Sequence, residues 1–178
     1  MSEPSLAPKP LNGPVILVDY DPGWPKVYES LASKIVDALG VRTRGLNHAG
    51  STSVPGLAAK PLIDIVLEVA DSASEEAYVP DLMAAGFTFI HREPEWFEQR
   101  LLRHNAPAAN LHVFTAGCEE VSRMLAFRNH LRRDSADRAL YEATKRTLAA
   151  RTWSVMQDYA DAKTEVVAQI MSRALAGP

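Results

Sequence analysis

The sequence predicts an α+β fold, a small mixed β-sheet with flanking helices and a helical C-terminal region, and three observations carry that prediction. Apolar residues first recur at helical spacing, and a strand-like run follows. Three further strand candidates then succeed one another with no helix between them. After Gly117 only helical periodicity remains. Strands in direct succession argue for a mixed or antiparallel sheet rather than a doubly wound one.

In chain order, Pro- and Ser-rich residues 1–13 read as a mobile leader, and residues 14–178 as one domain. VILVDY (15–20) alternates enough for a short strand. Asp21 before Pro22 predicts a helix start, since a carboxylate can cap the orphan amides and proline lacks an amide that would be unpaired there anyway. Trp24, Val27, Tyr28, Leu31, Ile35 and Leu39 then share one helical face, with Gly40 as the stop. A strand is expected over about 42–48, ended by AGSTSVPG, and another over 62–69. Ser72 and Glu75 match a capping box that opens a helix closing near Gly86. FTFIH, WFEQRLLR and NLHVF are the three consecutive strand candidates. Helices are expected over roughly 119–133, 136–151 and 155–175.

Size and composition bound the function. The 178 residues fit one domain with a proper core. The net charge of -3 offers no global attraction for nucleic acid or anionic membrane, and no basic run is interleaved with aromatics. Nucleic acid is therefore not an expected partner. No apolar run approaches the roughly 18 residues that span a bilayer, and the N-terminus lacks the pattern of a signal peptide. One cysteine, Cys118, allows neither an intrachain disulfide nor a cysteine-rich zinc site. The expectation is a cytoplasmic protein with a small-molecule partner.

Chemistry concentrates in NHAGSTSVPGLAAKPLIDIVLEV. A Gly50-Ser51 turn directly after a strand lets a ligand approach backbone amides closely, and Ser51, Thr52 and Ser53 add hydroxyls suited to phosphate oxygens. Asp64 sits in an otherwise apolar strand. Alternation puts Asp64, Val66 and Glu68 on one face and Ile63, Ile65 and Leu67 on the other. An isolated ionised group in an interior is very costly, so Asp64 must lie at an edge, be paired, or bind a cation. A turn of this kind is usually only a turn, and a strand Asp is more often a partnered structural residue.

The segment HAGSTSVPGLAAKPLIDI closely resembles the signature of the GrpB family, small bacterial proteins grouped with the nucleotidyltransferase superfamily. YDPGWP, NLHVF, LAFRNHLR and the Tyr141–Lys145 region extend the resemblance along almost the whole chain. It implies a nucleotidyltransferase-like fold and a nucleotide or phosphorylated substrate. It also implies a divalent cation, Mg, Mn or a softer metal, held by carboxylates that activate an incoming hydroxyl. The superfamily pattern is a Gly-Ser turn, a spacer of about a dozen residues, then two carboxylates one residue apart. Gly50-Ser51 and Asp64 match, but Val66 stands at the second carboxylate, and Glu68 lies one strand repeat, roughly 6.6 Å, farther along.

His112, in NLHVF, is placed by element order where relatives carry a third acid. With Asp64 it can hold a softer ion, form an acid/base dyad, or simply hydrogen-bond. His48, just before the turn, is a further candidate for the cluster, whereas His91, His104 and His130 have no comparable context. Lys60, Arg44, Arg100, Arg103, Arg128, Arg132 and Lys145 flank the site in sequence order, with Lys60, Arg128 and Lys145 the preferred anion ligands. Arg128 and Arg132 are four apart and project together. The alternatives to metal-assisted nucleotidyl transfer are a degenerate module that binds a ligand or partner without chemistry, and a transferase or cyclase of small metabolites using Asp64 and His112. The apolar stripe Val166, Val167, Ile170 and Leu175 can either cover the site or form a homo-oligomer interface.

Overall fold

The structure, a computed structural model, describes residues 15–176; the expected leader over 1–13 lies outside them. Helix α1 (Trp24–Leu39) leads into β1 (Gly45–Ala49), a 3₁₀ turn at Ser51–Ser53 and β2 (Ile63–Val69). Then come α2 (Val79–Ala84), β3 (Thr88–Glu93), β4 (Gln99–His104) and β5 (Ala109–Thr115). Helices α3 (Glu119–Arg133), α4 (Ser135–Ala149), α5 (Met156–Asp161) and α6 (Thr164–Ala176) complete the chain. The five strands form one mixed sheet of order β1-β2-β5-β4-β3. The β2–β5 pair is parallel and the other three pairs are antiparallel.

Strand parity assigns the two faces of the sheet. Ile63, Ile65 and Leu67 point to one face, where they bury against Trp24, Leu31, Ile35 and Leu39 of α1 and Leu82 of α2. Leu31 and Ile35 are wholly buried, and each such side chain contributes about 1.5–3 kcal/mol. Val66, Ala49 and Phe114 point to the other face, beneath Val121 of α3. The helical region has its own core, in which Leu131, Tyr141, Val166 and Ile170 pack on Val54 and Leu57, just beyond the Gly-Ser turn. This places Val166 and Ile170 of the expected stripe inside the chain's own packing, while Leu175 is exposed.

Four local expectations are corrected. Residues 15–20 form no strand; Val18 makes a single antiparallel bridge to Ala59. The first helix begins at Trp24, because the Asp21 carboxylate is spent two residues on, accepting from the Gly23 amide at 2.7 Å. The Ser72–Glu75 capping box does not form. Ser72 hydrogen-bonds Thr115 (Oγ–Oγ1 3.0 Å), and Glu75 accepts from Arg92 and Arg100; a 3₁₀ turn and the six-residue α2 follow instead. The last helix is broken into α5 and α6, and the junction places Lys163 beside the site described below.

Candidate functional site

The turn after β1 is built around a close approach. Gly50 has φ 64°, and a Cβ there would lie 2.3 Å from Asp64 Oδ2. Only glycine lets the turn lie against the Asp64 carboxylate, both sterically and conformationally. Asp64 is opposite Ala49 on β1 and Asn110 on β5. Asn110 Nδ2 donates to Asp64 Oδ1 at 3.2 Å, and Arg103 Nε donates to Asn110 Oδ1 at 3.4 Å.

His112 lies opposite Val66 and so shares the Asp64 face. Its Nε2 is 3.7 Å from Asp64 Oδ1, too long for a direct hydrogen bond and short enough for one atom of a ligand to bridge. Its Nδ1 is 2.8 Å from Nε2 of the buried Gln99. With the amide donating there, the neutral imidazole carries its proton on Nε2, towards Asp64.

A cavity of about 190 Å³ opens beside Asp64, and Gly50, Ser51, Thr52, Lys60, Asp64, Asn110, Tyr141, Lys145, Tyr159 and Lys163 line it. Lys145 is buried and donates to Ser51 Oγ at 3.0 Å and to the Ala58 carbonyl. Burial, then the neighbouring Lys163, pushes its pKa down to about 7. Burial, then Lys60, brings Lys163 to about 8, against the opposing pull of Asp64. Lys60 is lowered too, again by burial first. Lys163 stacks on the Tyr159 ring, 4.5 Å from its centroid. Three crowded ammonium groups against one carboxylate make a cavity short of negative charge.

A second cavity, of about 160 Å³, lies on the α3 side of the same turn. It shares Gly50, Ser51 and Tyr141 with the first and is otherwise walled by Val54, Met124, Phe127, Arg128 and Leu131.

Not every sequence candidate reaches the site. His48 pairs with Ile65 and therefore points to the opposite face. There it stacks on Tyr28 and lies 3.0 Å from Thr52 Oγ1, and burial holds its pKa down at about 4. Thr52 and Ser53 are buried, and their hydroxyls serve the turn itself: Thr52 bonds His48 and Ser53 donates to the Gly50 carbonyl at 2.6 Å. Glu68 accepts from the Gly117 amide at 3.0 Å and so does not stand in for the missing acid. Arg128 donates to the His48 carbonyl and Arg132 twice to the Ser53 carbonyl, fastening α3 to the turn. Arg100 is locked onto Glu75 and Glu98.

The carboxylate pair expected of a two-cation site does not fit these residues. Val66 is completely buried beneath α3, and three lysines crowd the cavity next to Asp64. Among the described residues, the grouping of three metal-ligating side chains is His130, Asp134 and Asp137. It is elsewhere and already engaged, since Arg173 and His130 bond Asp137 and Asp134 caps α4. Sequence reasoning missed Lys163, Tyr159 and Asn110. The four-residue spacing of Tyr159 and Lys163 was the available signal, but it carried no information about where that turn of helix would dock.

A family model described as GrpB protein matches residues 14–173. The chain belongs to the GrpB family. A UPF0157 protein of Halalkalibacterium halodurans is 49% identical over 93% of this chain and 85% of its own length. One from Streptomyces coelicolor is 48% identical over 89% of this chain and 83% of its own. The crystal structure of conserved protein GrpB from Enterococcus faecalis superposes with TM-score 0.79 at 29% identity, over 90% of this chain and 98% of that one. The mixed sheet with flanking helices is thus a GrpB architecture, and in this GrpB chain the Gly-Ser turn, Asp64, Lys60, Lys145 and Lys163 meet at one cavity.

Proposed function

We propose that this GrpB protein binds a phosphorylated small molecule or nucleotide in the lysine-lined cavity. The observation that carries the reading is the convergence of Lys60, Lys145, Lys163 and Ser51 on one cavity. Phosphate oxygens would relieve the mutual repulsion of the ammonium groups and accept from Ser51. Asp64 lines that space, and His112 lies next to Asp64 with its Nε2 3.7 Å from Oδ1. A ligand atom that bridges the two could have its proton held or moved by them, as by an acid/base pair. Metal-assisted nucleotidyl transfer has weaker support, because the second carboxylate is absent. A purely binding role is the second reading, and Val66 is the observation that favours it.

Calorimetry with pyrophosphate and nucleoside triphosphates, with Mg, with Mn and with chelator, tests the proposal. The expected result is anion binding that does not require metal and is lost in a Lys145→Met, Lys163→Met double variant. Absence of binding by every anion would overturn it. Turnover of any bound ligand, abolished by Asp64→Asn or His112→Gln with binding intact, would exclude the purely binding reading.

A further inference from the structure

The second cavity narrows the class of ligand, and this step rests on the anion-binding reading above. Its polar groups are confined to two places. Ser51 and Tyr141 lie on the wall shared with the lysine cavity, where Ser51 Oγ accepts from Lys145 at 3.0 Å. The Arg128 guanidinium spends Nη1 on the His48 carbonyl at 2.8 Å and Nε on the Asn129 side chain at 3.0 Å. What faces the space between is carbon and sulfur, from Val54, Met124, Phe127 and Leu131. A nucleobase placed there would find partners only at Ser51, Tyr141 and the remaining N–H groups of Arg128, and each of its other ring nitrogens and exocyclic groups would be buried unpaired, which weakens binding. A hydrocarbon ring has no such penalty. Each cavity is smaller than the roughly 300 Å³ at which ordinary ligand pockets begin, while their volumes on the two sides of Ser51 together exceed it.

We infer that the site takes a phosphate ester whose organic part is largely hydrocarbon. The phosphate sits among the lysines, and the ring or branched chain reaches past Ser51 into the cavity under α3. Met124 and Phe127 are partly exposed while Val54 and Leu131 are fully buried, so the outer wall is the adaptable one; methionine in particular conforms to varied apolar shapes.

The test is calorimetry of the full chain with inorganic phosphate, 1-naphthyl phosphate and adenosine monophosphate. Naphthyl phosphate is expected to bind at least about tenfold tighter than phosphate, as burial of one aromatic group provides, and tighter than the nucleotide. Met124→Trp fills the cavity and should erase that advantage while leaving phosphate affinity unchanged. If the variant is unstable, methyl NMR of the wild-type protein replaces it: naphthyl phosphate, and not phosphate, should shift the Met124 methyl signal. Equal affinities for phosphate and naphthyl phosphate, or a preference for the nucleotide, would overturn this inference and leave the anion site standing. Failure of all three to bind would overturn both.

Discussion

Replacing Lys145 with methionine keeps the length of the side chain and removes its charge from a place where charge is disfavoured. The lysine is 3% exposed, and burial lowers its pKa from the ordinary 10.5 to about 7. Between those two values the unfolded chain holds a proton that the folded chain has released, so wild-type stability rises with pH through this window. At about 1.4 kcal/mol per pH unit, the folded state at pH 7 bears a penalty of about 4 kcal/mol. Methionine removes that penalty. It also removes the bonds to Ser51 and to the Ala58 carbonyl, returning about 1–3 kcal/mol for a carbonyl left unpaired. The variant is therefore expected to be about 1–3 kcal/mol more stable at pH 7, raising Tm by several degrees. That advantage should shrink steadily as pH is raised towards 10, and reverse once the wild-type lysine is neutral in both states. Chemical denaturation at a series of pH values measures the difference. A variant less stable at pH 7, by an amount independent of pH, would refute the assignment of Lys145 as a strained group retained for binding.

Gly50→Ala should destabilise the fold by at least about 2 kcal/mol, since it combines a positive φ with a Cβ 2.3 Å from Asp64 Oδ2; thermal unfolding measures this, and a neutral result would mean that the turn is not held against the carboxylate. Anion affinity should fall as pH rises past 7–8, where Lys145 and Lys163 lose their protons, by at least about tenfold between about pH 6 and pH 9; an affinity flat across that range would remove these lysines from the site. Val66→Asp should not create a second metal ligand but bury an unpaired carboxylate beneath α3, costing about 3 kcal/mol or more; tight Mg binding by a folded variant would contradict that. Arg132→Ala frees the Ser53 carbonyl from both of its guanidinium bonds and should cost about 1–3 kcal/mol in a denaturant titration.

What the sequence revealed about the site follows from the range of the forces involved. The Gly-Ser turn and Asp64 are fixed by local chain geometry and strand alternation, so their relation was readable within one segment. The proximity of His112 needed only the order of strands, since a parallel neighbour of β2 carries it to the same face. The misplacement of His48 is a matter of parity. Its side depends on the β1–β2 register, His48 against Ile65, which no residue within β1 encodes. Arg128 and Arg132 do share a helix face, but whether a guanidinium meets a ligand or a carbonyl is decided by helix docking. Lys163 and Tyr159 were illegible for the same reason, since a break in the last helix turns them towards a cavity whose floor lies 100 residues earlier. The element order and the mixed sheet were legible throughout; the extra strand at 15–20 arose because alternating apolar residues also suit a single bridge.

The walls of the lysine cavity come from Leu17, from the turn and β2, from α4, from Tyr159 of α5 and from Lys163 at the α5–α6 junction. A ligand gripping residues so far apart in the chain closes several loops at once, and the entropy of closing them depends only weakly on their length. Occupancy should therefore couple the sheet to the helical region: hydrogen exchange in α5 and α6 would slow on binding together with exchange in β1, although these elements share few contacts of their own. A bound ligand would act as a structural member, one more tie between two subcores that α3, the Gly-Ser turn and the bonds of Lys145 and Glu142 to Ala58 already join.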